Sequence, residues 1–190
     1  GRVPVDPGTV PQLKAELDRA ANLGLNVTPL YSVARNGALR AASTNAIRDA
    51  MRGMTDRLVT AREALTPVQG DAELMAGAEA IRIGVQGGVL RDMRAVQRTR
   101  SLAVPLGVLQ ELVLRGVSVK KASATVTAFL KTNASDAAIA GVATDLPALI
   151  AQGLAPSVAL ELRSRGVLSL PQGLGQPSSV APATIRPPPR

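Results

Sequence analysis

Ile47, Met51, Met54, Leu58, Ala61 and Leu65 recur at steps of three and four residues, so on a helix they share one face, while Arg48, Asp49, Arg52, Asp56 and Arg62 lie elsewhere. This pattern predicts the longest helix of the chain, from Thr44 to Leu65, slightly weakened by Gly53 and closed by Pro67 and Gly70. The same period predicts helices from Thr9, from Thr28 and over 72–82, 87–97, 105–115, 119–131, 136–151 and 156–165, with Pro147 as a kink. No strand pattern competes. The expected fold is all-α, about eight or nine short helices in antiparallel hairpins.

Starts and stops follow from backbone hydrogen bonding. Thr9 with Gln12 reads as a capping box, and Thr28, Ser43, Asp71 with Glu73, Ser118 and Ser135 sit where a short polar side chain would satisfy an orphan amide. A connector recurs: a Gly, an aliphatic residue, and an apolar residue six positions after the Gly. Gly24-Leu25 with Leu30, Gly84-Val85 with Leu90, Gly116-Val117 with Ala122 and Gly153-Leu154 with Ala159 fit it directly. Ala41-Ala42 with Ile47 and Asn133-Ala134 with Ile139 are degenerate copies, Asn being the other residue that tolerates a left-handed conformation past a helix. Such tight turns predict that consecutive helices pack as neighbours. The expected organisation is an extended Pro- and Gly-rich arm over 1–8, a helical domain over 9–166 and a Pro-rich extended tail over 167–190.

Composition changes the picture mainly by exclusion. The chain has no His, Cys or Trp, one Tyr (Tyr31) and one Phe (Phe129), so the core must be built of Ala, Leu, Val, Ile and Met. Catalysis would have to rest on carboxylates, Lys or Tyr31. The acids read as helix starts (Asp71, Glu73) or as surface partners of Lys14 and Arg19 (Glu16, Asp18), and the Ser residues read as caps, so no enzyme is expected. No cofactor or metal is expected either, because haem and chlorophyll lack their usual axial ligand and the Met residues read as core filler.

The net charge is +8, carried by 22 Lys and Arg against 14 acids. Between Arg82 and Arg100 five Arg face only Asp92. Arg91, Arg94 and Arg98 fall at i, i+3 and i+7, a basic stripe opposite Val89, Met93 and Val96, with Arg100 just beyond. Such a stripe is either an ordinary solvated face or a docking face for carboxylates, phosphates or anionic lipid headgroups. Nucleic acid is disfavoured, since charge elsewhere is interleaved and no aromatic platform is available for bases. The tail is expected to act as a strap along a partner, with Leu170, Leu174, Val180 and Ile185 as apolar contacts and Arg186 and Arg190 as charged ones.

The hairpin grammar, including SLAVPLGVLQELVLRGVSV (Ser101 to Val119), resembles an uncharacterised group of small exported bacterial proteins built from short helices with Gly-aliphatic turns, over about residues 20–167. That resemblance implies periplasmic placement and no known activity; a start at Gly1 is compatible with removal of a signal peptide or with other trimming, and with no run of 18 or more apolar residues no transmembrane helix is expected. A small His-free helical protein is also similar in kind to the non-pigmented accessory subunits of bacterial photosynthetic reaction-centre and light-harvesting complexes. The expected function is a non-catalytic accessory subunit that stabilises a larger membrane-associated complex with an acidic surface. The alternatives are a freestanding periplasmic binding or chaperone-like protein, which would use a groove between hairpins, and a basic protein docking on anionic lipid.

Overall fold

The computed structural model describes residues 9–169, and over them the chain is all-helical. Its elements are α1 (Thr9–Asn22), α2 (Thr28–Leu39), α3 (Thr44–Ala64), α4 (Asp71–Arg82), α5 (Gly87–Val96), α6 (Ala103–Leu114), α7 (Val119–Lys131), α8 (Asp136–Ala151) and α9 (Pro156–Leu168). Two boundaries move from the sequence expectation. α6 starts at Ala103, because Pro105 sits in its first turn, where no amide donor is needed. α9 runs past Gly166, so Val167 and Leu168 belong to the helical domain and not to the tail. α8 passes through Pro147 without ending. The arm over 1–8, the Thr9 side chain and the tail from Leu170 lie outside the described residues.

All six connectors share one construction. Gly24, Gly84, Gly116, Gly153, Ala41 and Asn133 all have positive φ, from 52° to 99°. The next amide donates back to the helix just completed, as in Leu25 to Ala20, Val85 to Ala80, Val117 to Leu112 and Ala134 to Phe129, at 2.9–3.0 Å. This is the Schellman closure, in which a left-handed residue returns two amides to the last free carbonyls. The new helix starts at once. Ser43, Ser118 and Ser135 accept from Ala46, Lys121 and Ala138, while α2 follows Val27 with no side-chain cap there and its Thr28 amide donates to Asn26 Oδ1 (2.9 Å), so Thr28 opens the helix without being its cap. The apolar residue six positions after the turn is therefore the fourth residue of the new helix in α3, α5, α7, α8 and α9, the place where a hydrophobic staple closes, and the third in α2. Leu30, Ile47, Leu90, Ala122, Ile139 and Ala159 are all buried.

The helices stack in two rows. α1, α3, α5, α7 and α9 pack in that order as one row, α4, α6 and α8 form a second, and α2 rests on α3. α3 with α4, α6 with α7 and α8 with α9 join the rows. Extensive contacts therefore link helices one or two apart in sequence, the quasi-one-dimensional arrangement of repeat proteins. Consecutive helices pack as hairpins in α2 with α3, α3 with α4, α6 with α7 and α8 with α9, whereas α1 with α2, α4 with α5 and α7 with α8 are tightly connected without packing extensively. Their connectors serve to move the chain from one row to the other. Phe129, Met51, Met93 and a series of Leu side chains fill the space between, all fully buried.

Two connections, 65–70 and 97–102, lack the connector, and one buried ion pair serves both. Glu73 is 0% exposed and Arg94 4%. Arg94 donates to Glu73, to the Leu65 carbonyl that ends α3 (3.1 Å), to the Gln97 carbonyl that ends α5 (2.8 Å) and to the Arg100 carbonyl (3.1 Å). Glu73 also accepts from the Gln69 amide just before α4 and from the Leu102 amide at the start of α6. Four helix ends thus meet on one pair of opposite charges. Burial is tolerable because nearly every lone pair and proton of the two groups finds a partner.

Candidate docking surface and groove

The predicted Arg stripe separates into parts with different roles. Arg94 leaves it, because four residues after Leu90 it stands only about 40° round the helix from that buried side chain, and so faces the core. α5 ends at Val96, which places Arg98 in the following loop. Arg100 is half-buried and committed inside the molecule, donating to the Ala134 carbonyl (3.0 Å) with its Nε 3.6 Å from Asp136. Arg91 and Arg98 remain. Both are exposed, and neither makes an ion pair or hydrogen bond with a described residue. Together with Glu63, Thr66, Pro67 and Ala95 they line a depression of about 490 Å³ between the end of α3 and α5. Leu170, Leu174, Val180, Ile185, Arg186 and Arg190 lie outside the described residues.

The network beneath the depression fixes this surface. Arg94 ties the loop that carries Arg98 to α3 and α4, and Arg100 ties it to the turn before α8. Two free guanidiniums are therefore held on a backbone anchored at both ends. Such anchoring limits the ordering entropy that binding would cost.

On the other side of α5 lies a second concavity, a groove of about 700 Å³ against α7. Gln97 Nε2 reaches Asn133 Oδ1 at 3.4 Å, so the C-terminal ends of α5 and α7 adjoin and the two helices run in the same direction. Lys120, Ser123, Ala124, Thr127, Ala128 and Lys131 line one wall; steps of three and four put them on one face of α7. Val89, Asp92 and Gln86 supply the other. Ser123 is 6% exposed, and its hydroxyl oxygen is buried without a hydrogen-bond partner.

Sequence reasoning missed the role of Glu73 and the burial of Ser123. Glu73 lies in the first turn of α4, where an acid is ordinarily explained by the helix dipole. Ser123 carried one available signal, its place in a stripe of small residues between two lysines. Some of the other polar residues also shift roles. Asp71 accepts from Asn26 Nδ2 (2.7 Å) rather than capping α4, and Gln12 accepts from Arg48. Glu16 is buried against Arg52 (2.6 Å), with Arg19 at 3.7 Å; Lys14 pairs with Asp18 as expected and Arg19 also with Asp56, each at 2.7 Å.

No helix among the described residues is long and apolar enough to cross a membrane. Comparison with protein-family models, with curated proteins and with solved structures finds no match to this chain.

Proposed function

We propose that the chain is a non-catalytic interaction protein, an accessory subunit that docks on an acidic protein surface of a larger assembly through Arg91 and Arg98. The observation that carries this reading is the contrast within one short segment. Arg94 commits its charge inside the molecule, whereas its neighbours Arg91 and Arg98 are exposed and make no ion pair with a described residue. Guanidinium is the cation best suited to bidentate recognition of carboxylates, and an anchored backbone presents it at low entropic cost.

Cross-linking of the full-length protein in native membranes, followed by mass spectrometry, tests the reading. Arg91→Glu with Arg98→Glu is expected to abolish cross-links to a carboxylate-rich subunit, while the same charge reversal at two exposed arginines of α2 and its C-terminal end, Arg35→Glu with Arg40→Glu, leaves them intact. Retention of the partner by the first variant refutes the assignment, as does recovery of anionic lipid alone.

A further inference from the structure

Glu63 lines the same depression as Arg91 and Arg98, and it stands where a carboxylate costs stability. It is the penultimate residue of α3, at the negative end of the helix dipole. Glu63 is exposed and makes no ion pair or hydrogen bond with a described residue. Its neighbour Arg62 gives no compensation, since it donates to the Leu23 carbonyl just past α1 (2.6 Å). Among the described residues nothing offsets the charge of Glu63.

The packing of α3 on α5 sets where this charge lies relative to the arginines. The two helices run in the same direction: a methyl group on Gly87 would fall 3.5 Å from Thr60 Cγ2, and seven residues further on Arg94 reaches the Leu65 carbonyl. Glu63 therefore stands about level with Arg91 on the neighbouring helix. One buried guanidinium then fixes the spacing from below. Arg94 holds the Leu65 carbonyl, two residues after Glu63, at 3.1 Å and the Gln97 carbonyl, one residue before Arg98, at 2.8 Å. The depression thus presents two free cations and an acid that do not pair with one another, on backbones tied to the same group. A uniformly anionic surface would gain at Arg91 and Arg98 and lose at Glu63. A mixed patch would satisfy all three, and the repulsive element is what tells the two apart.

We propose, resting on the docking reading above, that the partner surface is a mixed-charge patch: carboxylates for Arg91 and Arg98 beside a lysine or arginine for Glu63. Glu63 is the specificity residue of this contact, because it disfavours the lipid headgroups and polyacidic surfaces that Arg91 and Arg98 alone would attract.

The full-length protein tests this in two assays: the concentration needed to cross-link the carboxylate-rich subunit in native membranes, and sedimentation with vesicles of phosphatidylcholine and phosphatidylglycerol in equal parts. Glu63→Gln is expected to weaken capture of the subunit about two- to fivefold, and Glu63→Lys about tenfold or more. The same two variants are expected to bind the vesicles about two- to fivefold more tightly, and more tightly again, than the wild type. Opposite movement in the two assays is the signature. Glu63→Gln should also leave the melting temperature unchanged or raised, since it removes an acid from a helix C-terminus. Tighter capture of the subunit by Glu63→Gln would show a uniformly acidic partner, and unchanged capture would leave Glu63 without a partner cation. Either result overturns the inference while the docking reading stands, as does a lower melting temperature, which would give Glu63 to the fold. Retention of the subunit by Arg91→Glu with Arg98→Glu is the different result that removes the docking reading itself, and this inference with it.

Discussion

Removal of the Glu73 carboxylate is the change this fold should tolerate least. The group is fully buried, holds the Arg94 guanidinium and accepts from the Gln69 and Leu102 amides, the latter at 2.6 Å. In Glu73→Ala the guanidinium stays buried without its counter-charge, a loss of about 3–5 kcal/mol. Each amide left unpaired adds about 1–3 kcal/mol, less whatever water entering the gap restores. That is a large part of the roughly 5–15 kcal/mol that holds a typical domain together. At about 2–4 °C per kcal/mol for a chain of this size, the melting temperature should fall by more than about 10 °C. The more informative variant is the double replacement Glu73→Leu with Arg94→Met. A buried ion pair whose only business is mutual attraction can often be exchanged for apolar side chains at little cost. Here the exchange would strand five backbone groups: the carbonyls of Leu65, Gln97 and Arg100 and the amides of Gln69 and Leu102. The double variant should therefore remain several kcal/mol below the wild type, on the order of the single-partner loss. Urea unfolding followed by far-UV circular dichroism measures both. A double variant within about 1 kcal/mol of the wild type would refute the reading that this pair exists to cap four helix ends.

Three further outcomes follow from local geometry. Ala41 adopts φ 52° in the connector between α2 and α3, so Ala41→Gly should stabilise the protein by about 0.5–1 kcal/mol in the same unfolding assay, and a loss of stability would contradict the strain assigned there. At Gly77 a methyl group would stand 2.6 Å from Leu65 Cδ1 and 3.1 Å from Ala61 Cβ; Gly77→Ala should cost about 1–3 kcal/mol, and a neutral result would mean that α3 and α4 are less closely packed than described. Hydrogen bonds from Lys121 and Arg165, together with their charge, hold the exposed Glu161 carboxyl below its ordinary 4.5. A carboxyl depressed in the folded state contributes stability above its unfolded value and loses it as pH falls through the folded one, so this pair weakens only below about pH 4.5. NMR titration should show Glu161 moving up toward 4.5 in Lys121→Ala; an unmoved midpoint would discard the Lys121 contribution.

Local signals made the helices legible, and long-range ones stayed hidden. The six turns could be read because each packs its whole logic into seven residues: a left-handed position, an aliphatic residue and an apolar one six places on. Gly116, Val117 and Ala122 show it as clearly in sequence as in structure. The two-row stacking was not legible, since the same connector can join packed helices (α6 and α7) or merely adjacent ones (α4 and α5), and only the partners two helices away decide. Arg94 illustrates the limit of periodicity. Its spacing to Arg91 and Arg98 suggested a stripe, yet its spacing to Leu90 pointed equally to the core, and the partner that settles the matter, Glu73, lies on another helix. The groove depends on the register of α5 against α7, which no local pattern encodes.

The most direct test of the division of labour among these arginines is the unfolding free energy of Arg91→Gln, Arg94→Gln and Arg98→Gln, measured side by side in urea. Arg94→Gln should lose about 3–5 kcal/mol, since Glu73 is left buried without its cation, whereas Arg91→Gln and Arg98→Gln should stay within about 0.5 kcal/mol of the wild type, as exposed side chains with no partner among the described residues do. Equal losses at all three positions, or a tolerated Arg94→Gln beside a destabilising Arg91→Gln or Arg98→Gln, would contradict the assignment of one arginine to the fold and two to docking.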